Sequence, residues 1–155
     1  MDVIPGVNSP LPRVAITALN RRLASMPVVV VSGARQTGKC TLVTGLTSAR
    51  RNVTLDDLDA RATSRSHPEA LLGGEQAVTI EKIQREPSLL SAVKREVDRE
   101  RVAGRFLVTG SANLLLMRGV SESLAGRASY PTLWPMTRRE QLGLGEHGRW
   151  DRLFE

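Results

Sequence analysis

Four β-branched residues in a row, Val28-Val29-Val30-Val31, stand out in the hydrophobic pattern. Without a polar interruption, they predict a strand buried on both faces. Upstream, Val14, Ile16, Leu19 and Leu23 recur at roughly helical spacing between Arg13 and Ser25, with Arg21-Arg22 on the other face. That stretch predicts a helix leading into the strand. After the strand, a glycine-bounded turn runs into Thr41-Leu42-Val43 and predicts a second helix ending near Arg50-Arg51. Val53-Thr54-Leu55 predicts a short strand, and Asp56-Asp57 gives an N-cap signal for the helix that follows. A further short helix is expected over His67 to Leu72, entered by Pro68 and stopped by Gly73-Gly74. Ala77-Val78-Thr79-Ile80 predicts a third strand and Phe106-Leu107-Val108-Thr109 a fourth. Between them, Pro87 to Arg101 reads as an amphipathic helix with Leu89, Leu90, Val93 and Val97 inward. Beyond the fourth strand the pattern predicts helical stretches at Asn113 to Met117 and Glu122 to Leu124. It then predicts a fifth strand at Tyr130 to Trp134 and a last helix at Thr137 to Leu142.

Strands alternating with helices predict an α/β fold, a parallel sheet of about five strands flanked by helices. Residues 1–12, with Pro5, Pro10 and Pro12, read as an extended lead-in, residues 13–145 as one domain and residues 146–155 as a tail. The total of 155 residues has room for a single core.

Composition changes this picture little. The five aromatics, Phe106, Tyr130, Trp134, Trp150 and Phe154, lie in the last third, so the earlier core must be aliphatic. A net charge of +6 comes from 22 Lys and Arg against 16 Asp and Glu, with arginine dominant. It suits anionic partners such as nucleotides and nucleic acid, although the arginines are scattered rather than collected in one block. The single cysteine, Cys40, excludes an internal disulfide and fits a reducing compartment. No apolar run approaches the ~20 residues of a membrane span, and the N-terminus lacks a signal-peptide pattern, so a cytoplasmic protein is expected.

The chemistry concentrates where strands end. Gly33-Ala34-Arg35-Gln36-Thr37-Gly38-Lys39 follows the first strand and has the spacing of a phosphate-cradling loop, with Lys39 placed to reach the β- and γ-phosphates. The next position normally supplies a hydroxyl to Mg²⁺. Here it is Cys40, and Thr41 lies about 100° further round the helix. Glu81-Lys82 follows the third strand, and Thr109 and Ser111 follow the fourth. All three stations fall beyond the carboxyl ends of strands, where open α/β sheets bind ligands. In an ATPase reading the loop holds the phosphates, Glu81 holds Mg²⁺, and Thr109 and Ser111 sense the γ-phosphate.

Taken in order, several motifs form one pattern: the loop, Leu55-Asp56-Asp57, Ile83-Gln84-Arg85 with Pro87 and Leu89-Leu90, Leu107-Val108-Thr109-Gly110-Ser111-Ala112, and Ser121-Glu122-Ser123-Leu124-Ala125-Gly126-Arg127. Together they resemble the prokaryotic AAA-type ATPases that carry a C-terminal domain of unknown, nuclease-like function. The resemblance covers most of residues 13 to 142 and implies a P-loop fold, ATP with Mg²⁺, and assembly as a homo-oligomer. It adds Asp56 to the Mg²⁺ site, and it makes Arg127 the arginine that reaches a γ-phosphate, from a neighbouring subunit in one version. Family members usually carry Thr after the loop lysine and Asp-Glu before Ile-Gln-Arg. This sequence has Cys40, Glu81 and Lys82 there, so every departure falls on the Mg²⁺ and water apparatus. Lys82 cannot accept a proton while charged. Either it neutralises phosphate charge in the metal's place, or catalysis is simply lost.

Three functions follow. The first is an ATP-binding AAA-type domain with weak or lost hydrolysis. Another is a basic nucleic-acid- or protein-binding module with a vestigial loop. A small phosphotransferase ranks last, because neither an acceptor pocket nor a lid is visible. The resembling family continues past the point where this chain stops, so a fragment, a truncated relative or half of a split system is expected.

Overall fold

The structure, a computed structural model, describes residues 13–46, 49–112 and 124–143. Five parallel strands form one sheet: β1 (Val28–Val31), β2 (Arg51–Thr54), β3 (Val78–Glu81), β4 (Phe106–Thr109) and β5 (Ala128–Ser129). Their order across the sheet is β2-β3-β4-β1-β5. Thus β1 is interior, with β4 between it and β3. In register, Val28 faces Phe106 and Ala128, while Val31 faces Thr109.

The valine run is buried at all four positions, and its alternation divides the core in two. Val28 and Val30 point to one face. There they pack with Ile80, Phe106 and Val108, under Leu72 and under Leu89, Leu90, Val93 and Val97. Val29 and Val31 point to the other, with Leu107, Leu19, Leu23, Leu42, Val43 and Leu133. Each such side chain contributes about 1.5–3 kcal/mol relative to exposure, so β1 anchors both layers.

The helices follow from local signals. Helix α1 (Ala15–Ser25) buries Leu19 and Leu23, an i,i+4 pair. Helix α2 (Lys39–Thr44) starts in the glycine loop. The Asp57 side chain caps α3 (Leu58–Ser66) by accepting from the Asp59 N–H at 2.9 Å. Helix α4 (Pro68–Leu72) opens on proline and closes on Gly73. A one-turn 3₁₀ helix (Ile83–Arg85) precedes α5 (Leu89–Arg99), whose inward face is the expected one with Ala92 added. Thr137 and Glu140 form a capping box on α6 (Arg138–Gln141).

Two boundaries differ from expectation. Helix α2 ends at Thr44, not near Arg50-Arg51, because Gly45 closes it and Arg51 already pairs in β2. The fifth strand is Ala128–Ser129 rather than Tyr130 to Trp134. Pro131 has no N–H for a ladder, so pairing with β1 resumes only as a bridge between Ser32 and Thr132. The helix expected at Asn113 to Met117, Glu122 and Ser123 of the one expected at Glu122 to Leu124, the lead-in over 1–12 and the tail over 146–155 lie outside the described residues; Leu124 is buried and opens a turn. Among those described, no helix is long and apolar enough to cross a membrane.

Candidate functional site

Beyond the carboxyl ends of β1, β3 and β4 lies a cleft of about 940 Å³. The loop and α2 line it from Arg35 to Thr41, the turn after β3 supplies Lys82, Gln84 and Arg85, and the turn after β4 supplies Thr109, Gly110 and Ser111. The three stations read from the sequence therefore meet in one place. Gly33 and Ala34 form the base of the loop. Glu81, Asp56 and Arg127 are not among the residues that line the cleft.

Three positive-φ residues curl the loop: Gly33 (φ 155), Gln36 (φ 62) and Gly38 (φ 79). Such curvature turns successive backbone amides towards one point and suits an anion. The Lys39 ammonium is folded across the loop, donating to the Gly33 carbonyl at 2.8 Å, the Ala34 carbonyl at 2.5 Å and Thr37 Oγ1 at 3.3 Å. Partial burial pulls its pKa down, and Cys40 pushes weakly the other way. A phosphate group would exchange three neutral acceptors for a charged one.

The loop is braced from behind by residues the sequence reading did not select. The Arg13 guanidinium donates to the Thr37 carbonyl at 2.8 Å, to the Trp134 carbonyl at 2.8 Å and to Glu140 Oε1 at 3.0 Å. Glu140 also accepts from the backbone N–H groups of Val14 (2.9 Å) and Thr137 (2.7 Å). The partners lie 127 residues apart, and the only sequence signal was the Thr-x-x-Glu pattern at α6, which reports the cap and not the ion pair.

At the metal-holding positions the chemistry is different. Burial, then hydrogen bonding to the Glu81 carboxylate, pushes the Cys40 thiol up, with Lys82 acting weakly against it. Asp56 is paired with the Lys82 ammonium and, at 3.2 Å, with Arg85 Nε. The hydrogen bond from Lys82, ahead of the other charges, draws its carboxyl down. Mg²⁺ demands an octahedron of hard oxygen ligands, whereas this site presents a thiol, a carboxylate turned to that thiol and a carboxylate held by two cations. The residues present do not fit that ion. Among the described residues no three His, Cys, Asp or Glu side chains converge as a metal site.

Thr109 and Ser111 join the stations. Thr109 Oγ1 accepts from the Lys82 N–H at 3.4 Å, and the Ser111 N–H donates to Gln84 Oε1 at 3.3 Å. Arg127 lies at the opposite end of the sheet. Its carbonyl accepts from the N–H of Val28, the first residue of β1, and its side chain pairs with Asp98. The four-residue strand β1 separates it from the loop, roughly 13 Å at 3.3 Å per residue.

Comparison with known proteins matches residues 25–142 to the model of the AAA domain. Two curated relatives, the uncharacterized proteins Rv2008c of Mycobacterium tuberculosis and Mb2031c of Mycobacterium bovis, are each 37% identical over 130 residues. The alignments cover 83% of this chain and 30% of each relative, so the chain spans under a third of their length. Among solved structures, that of C. elegans PCH-2 aligns with a TM-score of 0.43 and 15% identity, over 76% of this chain and 37% of that one.

Proposed function

The chain belongs to the AAA domain family, and on that premise we propose that it is an ATP-binding domain whose hydrolytic activity is weak or lost. The observation that carries the reading is the cradle: Lys39 lies over a loop curled by Gly33, Gln36 and Gly38, at the head of a cleft reached by Thr109 and Ser111. On binding, Lys39 leaves the Gly33 and Ala34 carbonyls for a phosphate oxygen, and the loop amides take the rest of that group. Thr109 keeps the turn after β3 in place, and Ser111 offers a hydroxyl at the far wall. Turnover would need a group that accepts a proton from water beside the γ-phosphate. Lys82 occupies that position, which motivates the loss of hydrolysis.

In this reading the domain spans about residues 13–145 of what in longer relatives is a larger protein. Arg127 serves a γ-phosphate only from a second copy, because its own cleft lies at the other end of β1. Isothermal titration with ATP tests the core claim. Lys39→Ala should weaken binding by about tenfold or more, the worth of one or two charge-assisted hydrogen bonds. Equal binding by wild type and Lys39→Ala would refute the cradle. Phosphate release by the wild type should stay near background, and Cys40→Thr with Lys82→Glu should raise it. No gain in that double variant would count against the assigned cause.

A further inference from the structure

Four cationic side chains line the cleft, Arg35, Lys39, Lys82 and Arg85, and no carboxylate does. At its margin, Asp56 pairs with two of these four, Lys82 and Arg85, which leaves Arg35 and Lys39 without a carboxylate partner among the ion pairs of the described residues. Among the described residues only Gln36 and Lys82 are non-glycines with positive φ, and both border this cleft. Strain of that kind collects at functional sites when the surroundings hold it, and here the Thr109 hydroxyl accepts from the strained Lys82 N–H. Lys82 (φ 61) thus begins its side chain from a fixed point between the loop and Asp56. The Lys82–Asp56 pair is shallow, its side chains 43% and 39% exposed, so water screens it and an entering anion can compete for the ammonium.

We infer that the cleft takes a polyphosphate chain as the metal-free anion, with Lys82 moving from Asp56 to the terminal phosphate and standing in for the divalent ion. The inference rests on the nucleotide reading above and specifies the ionic form of the ligand. Four cations against one carboxylate at the margin favour the more highly charged form, and a free triphosphate is more highly charged than its Mg²⁺ complex. A carboxylate at position 82 would repel a metal-free polyphosphate. A lysine there repels the metal and attracts the phosphate directly. Asp56 then acts as a resting partner that holds Lys82 and Arg85 while the cleft is empty.

The test is titration of the full 155-residue chain with ATP and with inorganic tripolyphosphate, once in EDTA and once in excess Mg²⁺. Wild type should bind more tightly in EDTA, because Mg²⁺ sequesters the free anion. Lys82→Gln should lose about tenfold or more in EDTA and little in Mg²⁺. Asp56→Asn, which frees the ammonium, should bind more tightly than wild type in EDTA. Thermal melts of each variant show whether it is folded, and the wild-type comparison of the two buffers needs no variant. Wild-type binding that requires Mg²⁺, or a folded Lys82→Gln that matches wild type in EDTA, overturns this inference while leaving nucleotide binding intact. No binding of ATP in either buffer overturns the nucleotide reading itself, and this inference with it.

Discussion

Glu140 and Arg13 show how a single buried pair decides the shape of a loop that neither belongs to. Their side chains are only 5% and 9% exposed, and Arg13 carries the constraint on to the Thr37 carbonyl. Burial alone would raise the Glu140 carboxyl. The N–H groups of Thr137 and Val14, and then the Arg13 guanidinium, outweigh it and hold the group below its ordinary 4.5. A depressed carboxyl contributes stability that is present above its unfolded value and lost as pH falls through the folded one. Glu140→Gln leaves Arg13 buried without a counter-charge. It should cost about 3 kcal/mol at pH 7, or roughly 10 °C in melting temperature. The gap between variant and wild type should begin to close as the pH of the melt falls below 4.5, the unfolded value, and vanish below the depressed folded value, where folded wild type loses the same charge. A constant gap from pH 7 to 3 would show that shape and not charge holds the pair. Nothing in the local pattern announced this contact. By contrast Lys39, Thr109 and Ser111 were legible because strand ends and glycine spacing fix them within a few residues.

Elements were readable where one period dominated and misread where a backbone detail intervened. The valine run, the leucine face of α5 and the Asp57 cap needed only local chemistry. The end of α2 turned on Gly45, and β5 on Pro131, whose missing N–H reduces pairing to one bridge. That bridge has a consequence for the loop. Ser32 donates to the Pro131 carbonyl at 3.1 Å and accepts from the Leu133 N–H at 2.7 Å, immediately before Gly33. A Cβ on Gly33 would lie 2.4 Å from the Leu133 carbonyl oxygen, a backbone atom that cannot swing aside. Gly33→Ala should therefore push the segment after β5 off β1 and cost about 2 kcal/mol, in the range of local backbone strain. Affinity for ATP should fall with it, because the base of the cradle moves. A variant with wild-type melting and wild-type affinity would mean that the bridge does not constrain the loop.

For the whole molecule, the question is what the excess of positive charge does. A surplus of +6 reads as a nucleic-acid surface only if its members are free and adjacent. Several are neither. The Arg50 guanidinium donates to Thr79 Oγ1, the Gly104 carbonyl and the Val78 carbonyl, and burial brings its pKa down to about 10. Arg51 and Arg105 turn to the carbonyls of Leu71, Gly73 and Leu72, and Arg13 braces the loop. Arg65, Arg85, Arg99 and Arg127 pair with carboxylates. Much of the arginine excess thus closes backbone ends inside the fold, a use that a charge count cannot distinguish from a binding face. Among the described residues, the cleft gathers four cationic side chains, Arg35, Lys39, Lys82 and Arg85, of which the last two share the single carboxylate of Asp56, in a space suited to phosphates rather than to a duplex. Binding to double-stranded DNA should accordingly be weak. The slope of log affinity against log salt should be about −2 or shallower, since each neutralised phosphate contributes about −0.9. Fluorescence anisotropy on a labelled duplex from 50 to 200 mM salt, conditions chosen for the leverage described by counterion release, measures it. A slope near −5, insensitive to ATP, would mean that the arginines act together as one surface and that the cradle is incidental to it. A shallow slope that ATP flattens further would mean that DNA phosphates reach this chain only through the same cleft.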